Sequence, residues 1–330
     1  MNVAKTWVAL ITTSILALPA FGQLTQTEIQ ELAGHNGDNS YGPTVAVDGR
    51  TAVLGARLEG SSDLELSGAA YVYVRSGGVW TRQAKLLASD RASEDQFGNS
   101  VAIQGDTIVI GAPYKTHDGT DEVGAAYVFV RSGDTWAQQS KLLPADKTWR
   151  DRFGRSVAVD GDTVVIGSSD NVLVDQDPGD PGVLGANPIG AAYIFTRSGN
   201  TWNQQTKLVA SDREEGRDFG QSVDIDGDTV LVGDTFGSDS YQEHDGSAYV
   251  FIRSGDTWMQ QAKLMASDQD DGFDGEWFGW SVALDGDTAI IGAPNEISSL
   301  SRGIGSAYVF TRAGNDWAEQ SKLVSFEISG

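Results

Sequence analysis

Short apolar runs, each of about four to eight residues, alternate with Gly- and Asp-rich breaks along most of the chain. Between Phe97 and Asp146 there are four such runs. Run a is Ser100-Val101-Ala102-Ile103, run b covers 107–111, run c 125–130 and run d 136–143. Runs rich in Val, Ile, Tyr and Phe between turn signals predict strands. Runs a and b are almost wholly apolar, the pattern of strands covered on both faces. Run d mixes Trp136 and Leu142 with Gln138, Gln139 and Lys141, the dress of an outer edge strand that must not pair with strangers.

The four-run unit is written five times. Copies begin at Tyr41-Gly42, Phe97-Gly98, Phe153-Gly154, Phe219-Gly220 and Phe278-Gly279, with spacings of 56, 56, 66 and 59 residues. Periods of this size mark repeat architectures, in which one unit cannot bury its apolar face alone. The a–b connection is Asp48-Gly49, Gln104-Gly105, Asp160-Gly161, Asp226-Gly227 or Asp285-Gly286. Asp-Gly predicts a type I′ hairpin in which both residues take positive φ. The c–d connection is as regular, from Arg75-Ser76-Gly77 to Arg312-Ala313-Gly314, and predicts a tight hairpin with a bulge. The expected fold is all-β: a β-propeller of four-stranded antiparallel blades with five sequence repeats, ring closure left open. A linear β-solenoid competes, but its coils would be shorter and would not need two hairpins per copy.

At these residues the chain resembles the FG-GAP repeat family, the blades of integrin α-chain propellers and of many secreted bacterial proteins. Phe97-Gly98 with Gly111-Ala112-Pro113, and Phe278-Gly279 with Gly292-Ala293-Pro294, match both halves of the motif. The other copies depart in the second half, with Gly55-Ala56-Arg57, Gly167-Ser168-Ser169 and Gly233-Asp234-Thr235. The resemblance runs from residue 41 to about 324 and implies the propeller fold. It implies little about function, which lives in sites grafted onto folds. Integrin propellers carry metal loops between strands a and b of some blades. Here that connection is only Asp-Gly or Gln-Gly, so those loops do not carry over.

Charge and targeting narrow the picture. The 330 residues carry a net charge of −23 and no cysteine. A nucleic-acid partner is not expected, since phosphate contacts need basic patches. Residues 1–22 read as a signal peptide, with Lys5 in the n-region, an apolar stretch over 7–18 and Ala20-Phe21-Gly22 before a cleavage at Gln23. A membrane anchor is the competing reading, with an apolar run short for a span of about 20 residues. The expected setting is secreted or cell-envelope, in a bacterium, with no membrane span after cleavage. Residues 23–40 resemble the tail of a copy and predict an extra outer strand, and 41–330 form the propeller. Six candidate d strands for five a–b–c sets leave two readings: a surplus terminal strand, or a sixth set that this chain lacks.

In a meander the a–b and c–d turns share one end, and the b–c and d–a loops share the other. The first end is uniform and the second carries all the variation, so the second is the expected functional face. It is acidic. Asp268, Asp270, Asp271, Asp274, Asp175 and Asp177 stand in its densest stretches and are candidate ligands for Ca²⁺, which takes about six to eight oxygens. Neither stretch has the spacing of a calcium loop, and solvated loops that keep the protein soluble are the plainer reading. The repeated Asp-Gly-Asp reads as turn chemistry. His117-Asp118 and His244-Asp245, each before a glycine in a b–c loop, are a candidate base or ligand pair, or simply turn residues.

Trp80, Trp136, Trp202, Trp258 and Trp317 recur in strand d and are expected to pack between blades; Trp280, which follows a Phe-Gly, breaks the pattern and is expected to be a packing residue. Trp149 and Trp277 fall in d–a loops and are candidates for ligand contact or local packing. No catalytic motif is present. The sequence therefore points first to a non-enzymatic binding or adhesion module for a protein or glycan. A glycan-active enzyme using loop carboxylates comes second, and a structural fragment with an open edge third.

Overall fold

The computed structural model describes residues 44–147, 149–169, 190–212, 218–235, 246–268, 277–294 and 305–324. These residues form twenty strands and no helix, so none of their helices could cross a membrane. The first sheet is β1 (Val45–Asp48), β2 (Thr51–Ala56), β3 (Ala69–Ser76) and β4 (Val79–Leu86). The second is β5 (Ser100–Gln104), β6 (Thr107–Ala112), β7 (Ala125–Ser132) and β8 (Thr135–Leu142). The third is β9 (Ser156–Asp160), β10 (Thr163–Ser168), β11 (Ala191–Ser198) and β12 (Thr201–Leu208). The fourth is β13 (Ser222–Asp226), β14 (Thr229–Asp234), β15 (Ser247–Ser254) and β16 (Thr257–Leu264). The fifth is β17 (Ser281–Asp285), β18 (Thr288–Ala293), β19 (Ser306–Ala313) and β20 (Asp316–Val324). Each sheet is an antiparallel meander in chain order, the expected blade.

Successive blades stack through their inner strands, β1 on β5, β5 on β9, β9 on β13 and β13 on β17. No comparable packing joins β17 to β1. Burial differs from the sequence expectation in one respect. Strand b is wholly buried in the first four blades, whereas strand a is only partly so, with exposed residues in β1 and β5. The inner strand borders the open centre of the arc, so the second and third strands hold the core.

That core lies between blades. Val53, Ala70, Val72 and Leu86 on the trailing face of the first blade meet Ile108, Ile110, Tyr127 and Phe129 on the leading face of the second. The aromatic of Phe-Gly completes the joint. Phe97 is fully buried there and meets Tyr127 and Phe129 edge-on at 5.4 and 6.0 Å. Phe153, Phe219 and Phe278 do the same at the next three joints. The glycine of strand b is required here. A Cβ on Gly111 would collide with the carbonyl oxygen of Gly154, which the next blade presses against it.

The hairpin register differs from the type I′ expectation. Asp48 pairs with Thr51, so the loop residues are Gly49-Arg50, and in the later blades Gly105-Asp106, Gly161-Asp162, Gly227-Asp228 and Gly286-Asp287. Only the glycine takes positive φ, as a type II′ turn requires. The preceding side chain is thereby released to reach the next blade. Asp48 accepts from the Gly105 amide at 2.6 Å, and Asp160 from Gly227 at 2.7 Å. The second aspartate holds Arg131, Arg197, Arg253 or Arg312 of its own blade. Arg131 and Arg197 reach back to Thr51 and Thr107 of the preceding blade, each at 3.2 Å.

The expected c–d bulge is present, but within the strands and not at the turn. In each blade strand d carries one residue with no partner in strand c: Gln83, Gln139, Gln205, Gln261 and Gln320. The first four accept the indole N–H of the next blade's tryptophan, Trp136, Trp202, Trp258 and Trp317, at 2.8–3.1 Å. The recurrent tryptophans are thus joints between outer strands, as expected. Residues 1–22 and 23–40, and Tyr41-Gly42, lie outside the described residues.

Candidate functional site

The loop end is built by pairing each d–a loop with the preceding b–c loop. Glu94, Gln96 and Phe97 donate backbone N–H bonds to Glu65, Leu66 and Ser67. Arg150, Arg152 and Phe153 repeat this on Asp121, Glu122 and Val123. The pairing holds the residue before Phe-Gly in left-handed backbone, with φ of 52° at Gln96, 50° at Arg152 and 55° at Trp277. Such conformations cost about 1 kcal/mol or more in non-glycine residues and persist where surrounding bonds fix them.

Several candidates from the sequence turn out to have structural partners here. Asp268 accepts from the Tyr308 hydroxyl at 3.0 Å and from the Lys322 ammonium at 2.6 Å, so both carboxylate oxygens are engaged. Asp90, Asp146 and Asp212 do likewise with the tyrosine and lysine of the blade that follows each of them. Burial pushes all four carboxyls up, but the lysine and tyrosine bonds outweigh it and hold them below the usual range. His117 and Thr120 exchange backbone bonds across Asp118-Gly119, whose φ values of 50° and 78° are both positive. The type I′ turn therefore sits in this b–c loop. His117 Nε2 lies 2.9 Å from the Asp118 carboxylate, and burial followed by the Lys147 charge keeps its pKa below the ordinary histidine value.

Trp149 is exposed and has the Arg150 guanidinium 4.2 Å above its ring. Trp277 stacks on Trp280 at 5.3 Å and 18° between planes, and Trp280 remains 39% exposed. Trp280 was expected to be a packing residue; it packs on its neighbour and keeps exposed surface. Asp175, Asp177, His244, Asp245, Asp270, Asp271 and Asp274 lie outside the described residues. Among the described residues no three His, Cys, Asp or Glu side chains group to hold a metal ion.

The structure draws attention to positions that sequence reasoning missed. In blades two to five the residues flanking Phe-Gly occupy one place at the inner rim of the loop end, yet differ in each. Before it stand Gln96, Arg152, Asp218 and Trp277; after it stand Asn99, Arg155, Gln221 and Trp280. They are cross-linked between blades. Asn99 Nδ2 donates to the Arg155 carbonyl at 3.1 Å, and Arg155 Nε to Gln221 Oε1 at 3.1 Å. Arg57 donates to Gln96 at 2.9 Å, and Arg152 lies over the Tyr114 ring. Asp218 is buried and accepts from Thr235 at 3.3 Å. Burial raises its pKa to about 7 against the pull of Thr235, Arg155 and Arg152. Burial also lowers the pKa of Arg155. The rim thus links guanidinium, amide and carboxyl groups of blades two to four, and blade five carries a stacked aromatic pair at the same positions.

The FG-GAP repeat model matches residues 80–129, 136–195, 202–251 and 258–310. Each match begins at or next to the tryptophan of one outer strand and ends in strand c of the following blade, so it spans the joint described above. No curated protein matches the chain. With well over half its residues in these four matches, the chain belongs to the FG-GAP repeat family.

Proposed function

We propose that this propeller is a secreted binding module whose loop-end rim takes a glycan. One observation carries the reading: the breaks in repeat symmetry gather at positions flanking Phe-Gly, around the Trp277–Trp280 stack. A partly open aromatic face suits the apolar face of a sugar ring. Planar amides and guanidinium groups at the same positions of the other blades suit hydroxyls. Hydrolysis of the bound glycan is a second reading, favoured by Asp218, which titrates in the range of a general acid. Glycoside cleavage uses a second carboxyl within about 5 to 10 Å, and Asp234 is buried one residue from Thr235, which donates to Asp218. The partly open aromatic stack, which hydrolysis does not require, makes binding the first reading.

The test is an array of neutral and acidic oligosaccharides probed with wild type and with Trp280→Ala. The reading expects a wild-type signal that falls at least tenfold in the variant, with no reducing sugar released. Equal binding by both proteins contradicts it.

A further inference from the structure

The four junctions between blades are copies of one joint, and its two halves can be told apart. The trailing half consists of the strand-a hydroxyl, the strand-b glycine, the glycine before strand c, and four apolar side chains. The leading half consists of an aromatic-Gly pair and the apolar face behind it. At the second-to-third joint, for example, Ser100 donates to the Gly154 carbonyl at 2.8 Å, and Gly124 bridges to Phe153 in parallel. Thr44, Ser156 and Ser222 make the same bond to Gly98, Gly220 and Gly279.

The fifth blade carries a complete trailing half that is unfilled among the described residues. Its hydroxyl is Ser281, which makes no such bond. Its glycines are Gly292, whose added Cβ would meet only Ser281, and Gly305, which faces Pro294 where its counterparts face a phenylalanine backbone. Between them lies a groove of about 320 Å³, lined in part by Trp280, Pro294 and Leu323. Ile290 is 41% exposed where its counterpart Leu231 is 0%, and Leu323 is 51% where Leu264 is 3%. At the turn end Asp285 and Thr288 stand where Asp226 and Thr229 hold the next blade's glycine amide and arginine. The bulged Gln320 stands where Gln261 holds the next tryptophan. Four different bonding positions and an apolar face are thus all in register for one more leading half.

The chain contains one leading half not used in these four joints, that of the first blade. By sequence its aromatic-Gly pair is Tyr41-Gly42. Val45 and Val47 are about half exposed, whereas their counterparts Val101 and Ile103 are buried against the blade before them. The two faces do not meet among the described residues, where β17 shows no packing on β1 comparable to that of the four joints. We propose that the trailing face of the fifth blade seats the leading edge of the first blade of a second copy, so that the protein assembles head to tail. Such a contact is heterologous. It closes into a ring if the rotation allows and otherwise extends as a filament.

Sedimentation velocity of the purified full chain over a concentration series tests this. Wild type is expected to give species at whole multiples of the chain mass, growing with concentration. Ile290→Glu blocks the trailing face and Val47→Glu the leading face. Both residues are solvent-exposed, so each variant is expected to keep the wild-type circular dichroism and run as a monomer. Mixed in equal amounts, the two are expected to give a heterodimer and nothing longer, because one intact face remains on each. Gly292→Ala, whose methyl meets only a rotatable hydroxyl in the free chain, is expected to block assembly by sterics alone. Met259→Glu, at a more exposed position on the outer strand of the fourth blade, should leave assembly unchanged. A wild type that stays monomeric at every concentration overturns the proposal. So does a mixture that fails to form the heterodimer, or assembly that survives Ile290→Glu.

Discussion

The turn end and the loop end of this propeller are made from the same strands and differ in what their residues are free to do. At the turn end nearly every side chain is committed to joining blades. The aspartate before the turn glycine holds the next blade's amide, the aspartate after it holds an arginine, and that arginine reaches the preceding blade. A substitution there breaks a joint, which explains why the copies agree closely, with Arg50 and Gln104 as the exceptions at the a–b turn. At the loop end the joint is made mainly by backbone bonds, such as Gln96 to Leu66 and Arg152 to Glu122. Side chains at those positions can vary without loss of the blade, and they do. Uniformity at one end reports stability, and variation at the other leaves room for recognition.

The sharpest way to break this comparison is to weaken a joint itself. Phe153→Ala empties a fully buried site, and losses of about 3 to 5 kcal/mol are typical for such truncations. Urea denaturation should show this, with oligosaccharide binding by the remaining folded protein little changed.

Next in size is Asp218. Burial raises its folded pKa from 3.8 to about 7, so the folded state favours the proton. The stability linked to it is complete below about pH 4 and is lost as pH rises through about 7. Asp218→Asn should therefore raise the unfolding free energy above neutrality, by on the order of a few kcal/mol, and leave it unchanged near pH 4. Asp90, Asp146, Asp212 and Asp268 have the opposite sign. Their lowered carboxyls contribute stability above the unfolded pKa, and it is lost as pH falls through the folded one. A pH series on Asp218→Asn should retain the acid limb and lose the neutral one.

A smaller loss is expected at the turn end. Arg197→Ala removes bonds to the exposed Asp162 and the buried Thr107 and should cost about 1 kcal/mol with no effect on binding. Smallest for stability is Trp280→Ala, expected within about 0.5 kcal/mol of wild type because the ring is partly exposed.

Much of this architecture was legible in the sequence. Twenty strands, their grouping in fours and the two kinds of end follow from apolar runs and turn residues repeated five times. The hairpin type was not legible, because Asp-Gly satisfies a type I′ turn locally. The pull on Asp48 and Asp160 comes from an amide in the next blade, more than fifty residues away. The bulged glutamines were hidden for the same reason, since Gln83 acquires meaning only beside Trp136. The acidic loops drew attention through charge density. Asp268 shows a use for such charge that the sequence hides: it is held by a lysine brought alongside by pairing of β19 with β20. A signal for the rim was present. Aligning the five copies on Phe-Gly and reading the flanking columns exposes Arg152, Asp218 and Trp277 as the places where copies part company.

The measurement that bears most directly on the division between the two ends is oligosaccharide array binding by Trp280→Ala and Arg197→Ala, each checked by its melting curve. The account predicts that Trp280→Ala loses the array signal at an unchanged melting temperature, while Arg197→Ala keeps the signal and melts a few degrees lower. A signal retained by Trp280→Ala and lost by a folded Arg197→Ala would contradict it.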